Sequence, residues 1–229
     1  GVTYRLHPLL CGAISELMYS GKLQAHPVAG KRVLSEGTGL LRARAGLAIV
    51  DVADDGSYRS STSNQKEAAV VASVVAELLE RRLEDGSSSR SLSTDDILVV
   101  CPYNAHVRAV EAALVQRGIR RVRVGTVDRF QGREAPVVVA SLCAPPSQND
   151  EDEDSVASGG RGVAFVLDVR RLNVALSRAQ CLAVLVAAPD LADGAASSLD
   201  RMRELAVLSR LRELAVDTVV AEESVAGEP

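Results

Sequence analysis

Short apolar runs alternate along this chain with longer stretches whose apolar positions recur every three or four residues. Five of the runs read as strands: Leu47–Val52, Ile97–Cys101, Val122–Val127, Val137–Leu142 and Leu182–Ala188. They are apolar almost throughout, the pattern of strands buried on both faces rather than one. The periodic stretches read as helices: Leu9–Met18, a helix from Asn64 to about Leu83, Asn104–Gln116, residues 170–179, and about Ser198–Val216. The second places Val70, Val71, Val74, Leu78 and Leu79 on one face, with Asn64 as its cap and Glu67 three residues on, the spacing of a capping box. Strands alternating with helices predict an α/β fold with a mainly parallel sheet and right-handed crossovers.

Polar segments punctuate this pattern. Asp54–Ser63 reads as a loop, Asp85–Thr94 as a Ser-rich linker, and residues 144–162 as a loop carrying the acidic run Asp150–Asp154. Residues 1–45 form a leading segment with a helix and loops, 46–218 the main domain, and 219–229 a tail expected to fray. No internal repeat is visible.

Composition narrows the classes. At 229 residues with 47% apolar content, the chain has enough apolar side chains for one core. Aromatics make up 3% and Trp is absent, so packing must rest on Val, Leu and Ala. A net charge of −4 excludes binding to polyanions through net charge, although it leaves room for a local basic groove. Cys11, Cys101, Cys143 and Cys181 form no C-x-x-C pair, which points to buried free thiols in a reducing compartment, and to no zinc or other metal site. No run of about 18 apolar residues could span a membrane. The chain shows no secretory leader and opens inside a motif without a Met, so it reads as part of a longer intracellular protein, cytoplasmic or nuclear.

Three polar segments carry candidate chemistry. The first is Tyr4-Arg5-Leu6-His7-Pro8, with Tyr19-Ser20-Gly21-Lys22-Leu23 further on. The second, Val124-Gly125-Thr126-Val127-Asp128-Arg129-Phe130-Gln131-Gly132-Arg133-Glu134, gathers polar residues at a strand end, where open α/β sheets place ligands. Gly132 would let backbone approach a bound group. The third, Arg170-Arg171-Leu172-Asn173-Val174-Ala175-Leu176-Ser177-Arg178-Ala179, puts Arg171 and Arg178 two helical turns apart on nearly one face. Guanidiniums displayed there suit phosphate, because the planar fork cannot lose its charge. The plainer alternatives are a solvated helix face, or an Arg178 paired with Asp168.

In this order the three segments resemble the second half of superfamily 1 helicases, the branch of the nonsense-mediated-decay and related 5′-to-3′ DNA or RNA helicases. The resemblance runs from Tyr4 to about Leu191 and implies a three-layer RecA-like domain of the P-loop NTPase class. By that resemblance Arg178 corresponds to an arginine finger that reaches a γ-phosphate, worth about a thousandfold in rate in other NTPases. Arg5 is implied at the phosphates, Tyr4 at the base or packed in the cleft, Glu134 at the sugar or near it, and Gln131 and Gly132 at the turn that couples nucleotide to the domain interface. Thr126, with Pro102, Tyr103 and Asn104, is implied in contacts to single-stranded DNA or RNA. The family often has Gln where this chain has His106, which reads most simply as a surface histidine. His7 and His26 read as structural. Base stacking would fall to Tyr103 and Phe130, so sequence-independent backbone contact is the better expectation.

No G-x-x-x-x-G-K-[ST] loop occurs, and no apolar run ends in Asp-Glu. The resemblance therefore implies an upstream N-terminal RecA-like domain that shares the ATP and its Mg, leaving this chain inactive by itself. A non-catalytic nucleic-acid-binding module is the alternative; Arg5, Glu134 and Arg178, all present, weigh against it. A dinucleotide enzyme ranks last, because no G-x-G-x-x-G follows a strand.

Overall fold

The computed structural model describes residues 1–53, 59–60, 62–143, 163–189 and 199–221. In chain order these form β1 (Val2–Thr3), α1 (Pro8–Tyr19), β2 (Gln24–Ala25), β3 (Arg32–Leu34), β4 (Gly46–Val52), β5 (Arg59–Ser60), β6 (Ser63–Asn64) and α2 (Gln65–Leu79). There follow β7 (Arg82–Asp85), β8 (Ser88–Ser91), β9 (Ile97–Cys101), α3 (Asn104–Gln116), β10 (Arg123–Thr126), β11 (Ala135–Ser141), α4 (Val163–Val166), α5 (Val169–Leu176), β12 (Ala179–Ala187), α6 (Leu199–Leu214) and β13 (Asp217–Ala221).

Six strands build one parallel sheet in the order β10-β9-β11-β12-β4-β13. Successive side chains of a strand point to opposite faces, so each apolar strand feeds two cores. In β9, Ile97, Val99 and Cys101 join the core beneath α2 and α3, while Leu98 and Val100 join the core beneath α1, α5 and α6. In β4, Ala48, Val50 and Val52 face the first core, Leu47 and Ile49 the second. Helices on both faces of a parallel sheet make the three-layer, RecA-like α/β architecture expected from the alternation and the motifs.

Several boundaries differ from the sequence expectation. Helix α2 stops at Leu79, and the stretch expected as a linker is a hairpin, β7–β8, added to β3 in an antiparallel sheet. Leu83 and Leu92 face the first core from it, and Gly86 turns it at φ +63°. Residues 217–221, expected partly as fraying tail, pair with β4 from Ala48 to Val52. The rest of that tail and the acidic 144–162 segment lie outside the described residues. The leading segment shares both cores: Leu10 and Ile14 pack in the second, Leu34 and Leu41 in the first. Among the described residues no helix is long and apolar enough to cross a membrane.

Candidate functional site

The three motifs meet at the amino ends of β11 and β12. Three main-chain or side-chain bonds join them: His7 N–H to the Gln180 carbonyl at 2.8 Å, Ala135 N–H to the Arg178 carbonyl at 3.1 Å, and an Arg5 guanidinium N–H to the Ser177 carbonyl at 3.4 Å. The Nε of Arg5 also lies 3.2 Å from Glu134, whose other oxygen accepts the Gln180 side-chain amide at 2.9 Å. Arg178 is held by its Nε donating to the Val174 carbonyl one turn back, at 3.1 Å. No carboxylate among the described residues pairs with it. Asp168 is used otherwise, capping α5 by accepting the Arg171 N–H at 2.9 Å. The remaining forks of Arg178 are therefore uncommitted and half-exposed.

Tyr4 stands beside this set, 62% exposed, with its ring stacked on His26 at 4.3 Å between centroids. His26 accepts the Val28 N–H at Nδ1, and His7 accepts the Leu9 N–H likewise; both cap short helical segments, the structural role expected of them. Burial lowers the His7 pKa. Gln131 and Gly132 are exposed, and Gly132 sits at φ +79° with open space where a side chain would stand. Asn173 donates to the Tyr19 hydroxyl at 3.1 Å, and the Arg171 guanidinium lies 3.9 Å over the Phe165 ring, so both position α5.

The second segment is split between two ends of the sheet. β10 ends at Thr126, paired with Cys101 at the carboxyl end of β9, whereas β11 begins at the amino end. Residues 127–134 must cross the sheet between them, and Phe130 buries itself in the second core on the way. Thr126 thus lies with Pro102, Tyr103 and Asn104 at the carboxyl ends, away from Gln131, Gly132 and Glu134. Two expectations are corrected there. Tyr103 and Phe130 are 7% and 4% exposed, and Tyr103 stacks on Phe165 at 5.6 Å, so neither offers a face to a base. What remains at that turn is backbone, the half-buried Pro102 and the exposed Asn104.

His106 is not on the surface but fully buried. Its Nδ1 accepts the Asn64 N–H at 3.4 Å, so Nε2 carries the hydrogen and lies 2.6 Å from the Ser141 hydroxyl. Ser141 donates in turn to Glu67, which also accepts the Cys143 N–H at 2.8 Å. Asn64 caps α2 through the Glu67 N–H at 2.9 Å, as expected, but Glu67 sends its carboxylate to the end of β11 rather than back to Asn64. Desolvation lowers the His106 pKa to about 4. All four cysteines are buried free thiols, with Cys181 pushed up to about 12 by burial. Among the described residues no group of three or more His, Cys, Asp or Glu is arranged to hold a metal ion.

Residues 1–190 match the AAA domain family. The chain is 32% identical over 191 residues to the DNA polymerase alpha-associated DNA helicase A of Schizosaccharomyces pombe, covering 77% of this chain and 26% of that protein. It is 28% identical to the DNA-binding protein SMUBP-2 of Rattus norvegicus, covering 78% of this chain and 17% of that protein. The regulator of nonsense transcripts 1 homolog of Neurospora crassa is likewise 28% identical, over 82% of this chain and 16% of its own length. Among solved structures, the C-terminal domain of a possible DNA helicase from Lactobacillus plantarum WCFS1 aligns over 96% of this chain and 99% of its own, at 15% identity and a TM-score of 0.47. The chain belongs to the AAA domain family, and the superfamily 1 helicase motifs quoted above place it with helicase relatives. It spans about a quarter or less of the length of these curated relatives.

Proposed function

We propose that this chain is the C-terminal motor domain of an ATP-dependent DNA or RNA helicase or translocase in the reducing interior of the cell. The observation that carries the reading is the convergence of Arg5, Glu134 and Arg178, one from each motif, at one end of the sheet. A binding module has no need to keep an uncommitted arginine there. In this reading ATP lies between this end of the sheet and an N-terminal RecA-like domain of the same polypeptide. Arg178 and Arg5 hold the phosphates, Tyr4 the base, Glu134 the sugar, and the Gln131-Gly132 turn transmits cleft closure. Permanently charged guanidiniums fit a polyphosphate, and Arg178 stabilises the charge that develops during transfer. Magnesium neutralises phosphate charge when bound, with its protein ligands in the N-terminal domain. A single strand runs over the carboxyl ends, past Thr126 and the Pro102-Tyr103-Asn104 turn, held by backbone contacts.

The test is ATP hydrolysis by the full-length protein with and without single-stranded DNA and RNA, beside Arg178→Ala. Strand-stimulated hydrolysis that falls by about a thousandfold in the variant supports the motor. Hydrolysis that is absent, or indifferent to the substitution, returns the chain to a binding module.

A further inference from the structure

Some arginines of this chain pair with acids, and others, Arg81 and Arg82 among them, bond only to neutral oxygens. Arg32, Arg44, Arg90 and Arg212 each meet a carboxylate: Asp85, Glu84, Asp96 and Asp51. The segment from Arg117 to Arg133 is different. It carries six arginines and a single acid, Asp128, in a chain whose net charge is −4. Among the described residues none of the six pairs with a carboxylate. Those with partners use neutral oxygens: Arg117 the Ser73 hydroxyl, Arg123 the Asp95 carbonyl, and Arg129 the Val124 carbonyl at 3.0 Å. Arg120, Arg121, Arg129 and Arg133 are exposed, and Arg121 sits at φ +67°, a conformation costly for a residue with a side chain.

Their place in the fold gives the charge a direction. Among the described residues β10 is the edge strand of the large sheet, paired only with β9. Arg120 and Arg121 precede its amino end, Arg123 opens it, and Arg129 folds back beneath Gly125 onto its main chain. Of the neighbours, β9 offers no acid, α3 offers one exposed acid, Glu111, against one exposed arginine, Arg108, and the turn before β9 offers the exposed Asp95, whose carbonyl rather than carboxylate takes Arg123. The strand rises about 10 Å from Arg123 to Thr126 at roughly 3.3 Å per residue. A cationic ridge therefore leads to the Thr126 end along an open edge. Charges on an edge strand also deter edge-to-edge pairing, but one or two of either sign suffice for that.

We infer that this ridge is a second nucleic-acid contact, at which Arg120 and Arg121 bind phosphates of the strand that passes Thr126. The choice of occupant rests on the nucleic-acid reading of that end; the uncompensated charge does not. Phosphate contacts of this kind add affinity and salt dependence without sequence preference.

The experiment is fluorescence anisotropy of the full-length protein with end-labelled oligothymidylates of about six and about fifteen nucleotides, titrated with KCl. Arg120→Ala with Arg121→Ala is expected to weaken the longer strand about tenfold at low salt and to flatten its log–log salt slope by about 1 to 1.5. The shorter strand and strand-free ATP hydrolysis stay unchanged, and the double Lys variant keeps the contact. Thr126→Val weakens both lengths if the reading of the carboxyl end holds. An unchanged slope in the Ala pair, with Thr126→Val still weakening both, overturns the ridge and leaves the motor reading standing. A weakened longer strand with Thr126→Val silent keeps the ridge and removes Thr126. Displacement by polyglutamate as effective as by strand of equal charge overturns the nucleic-acid assignment.

Discussion

Arg5 and Glu134, 129 positions apart in the chain, meet at 3.2 Å across the amino ends of β11 and β12. Their side chains are 40% and 48% exposed, so the pair is a surface ion pair that contributes at most about 1 kcal/mol to folding. The carboxylate orients the Arg5 guanidinium, which also reaches the Ser177 carbonyl next to Arg178 in the chain. Glu134→Gln should therefore shift the melting temperature by only a degree or two while lowering strand-stimulated ATP turnover by about tenfold. Thermal unfolding of the variant beside its steady-state kinetics checks this. A large loss of stability with normal turnover would make the pair a structural tie.

The sheet and its helices were legible because unbroken Val-, Leu- and Ala-rich runs alternate with stretches of 3.6-residue period, whereas the meeting of Arg5, Glu134 and Arg178 was implied only by the resemblance of the three segments. The misread parts have physical reasons. The β7–β8 hairpin hides its alternation among serines, although Asp85-Gly86 is a turn signal that could have exposed it. Strand β13 follows α6 so closely that only its pairing with β4 distinguishes it from a helix end. His106 looked like a surface residue because neither of its partners, Asn64 and Ser141, is near it in sequence. The ridge went unnoticed because net charge averages it against acids elsewhere.

Asp96 illustrates a paired acid at the amino end of β9. Arg90 donates to both its oxygens at 2.6 Å, and with the Ser93 N–H it lowers the carboxyl from its ordinary 3.8 to about 2. The folded state thus releases this proton more readily than the unfolded chain. The stabilisation is complete above pH 3.8 and is lost as pH falls towards 2. Arg90→Ala should raise the Asp96 pKa in an NMR titration and move the acid-unfolding midpoint to higher pH. An unmoved titration would show that the Ser93 contacts, rather than the guanidinium, hold the carboxylate.

Arg212 of α6 grips Asp51 near the carboxyl end of β4 with two bonds of 2.6 Å, and the aspartate side chain is only 8% exposed. Removing one partner of such a pair leaves a charge desolvated, which costs roughly 3 kcal/mol. Arg212→Ala should lower the urea midpoint accordingly, and Asp51→Asn with Arg212→Gln should recover part of the loss. A cost below about 1 kcal/mol in the single variant would mean that water reaches Asp51.

His106 makes the stability of the domain depend on pH in a window just above that of Asp96. Burial lowers its pKa from 6.5 to about 4, so the unfolded chain takes up a proton near neutrality that the folded state refuses. Stability then rises with pH between about 4 and 6.5, and falls by roughly 3 kcal/mol on acidification across that window. Protonation would also place a second hydrogen on Nδ1, facing the Asn64 N–H it now accepts, and so strain the junction of α2, α3 and β11. Substitution by Gln, the residue the resembling helicases often carry there, keeps a donor for Ser141 and removes the titration. Denaturant unfolding of His106→Gln at a series of pH values should show a flatter profile between 4 and 6.5 than the parent. Identical slopes would mean that the histidine titrates normally and that the buried network opens far more easily than its packing indicates.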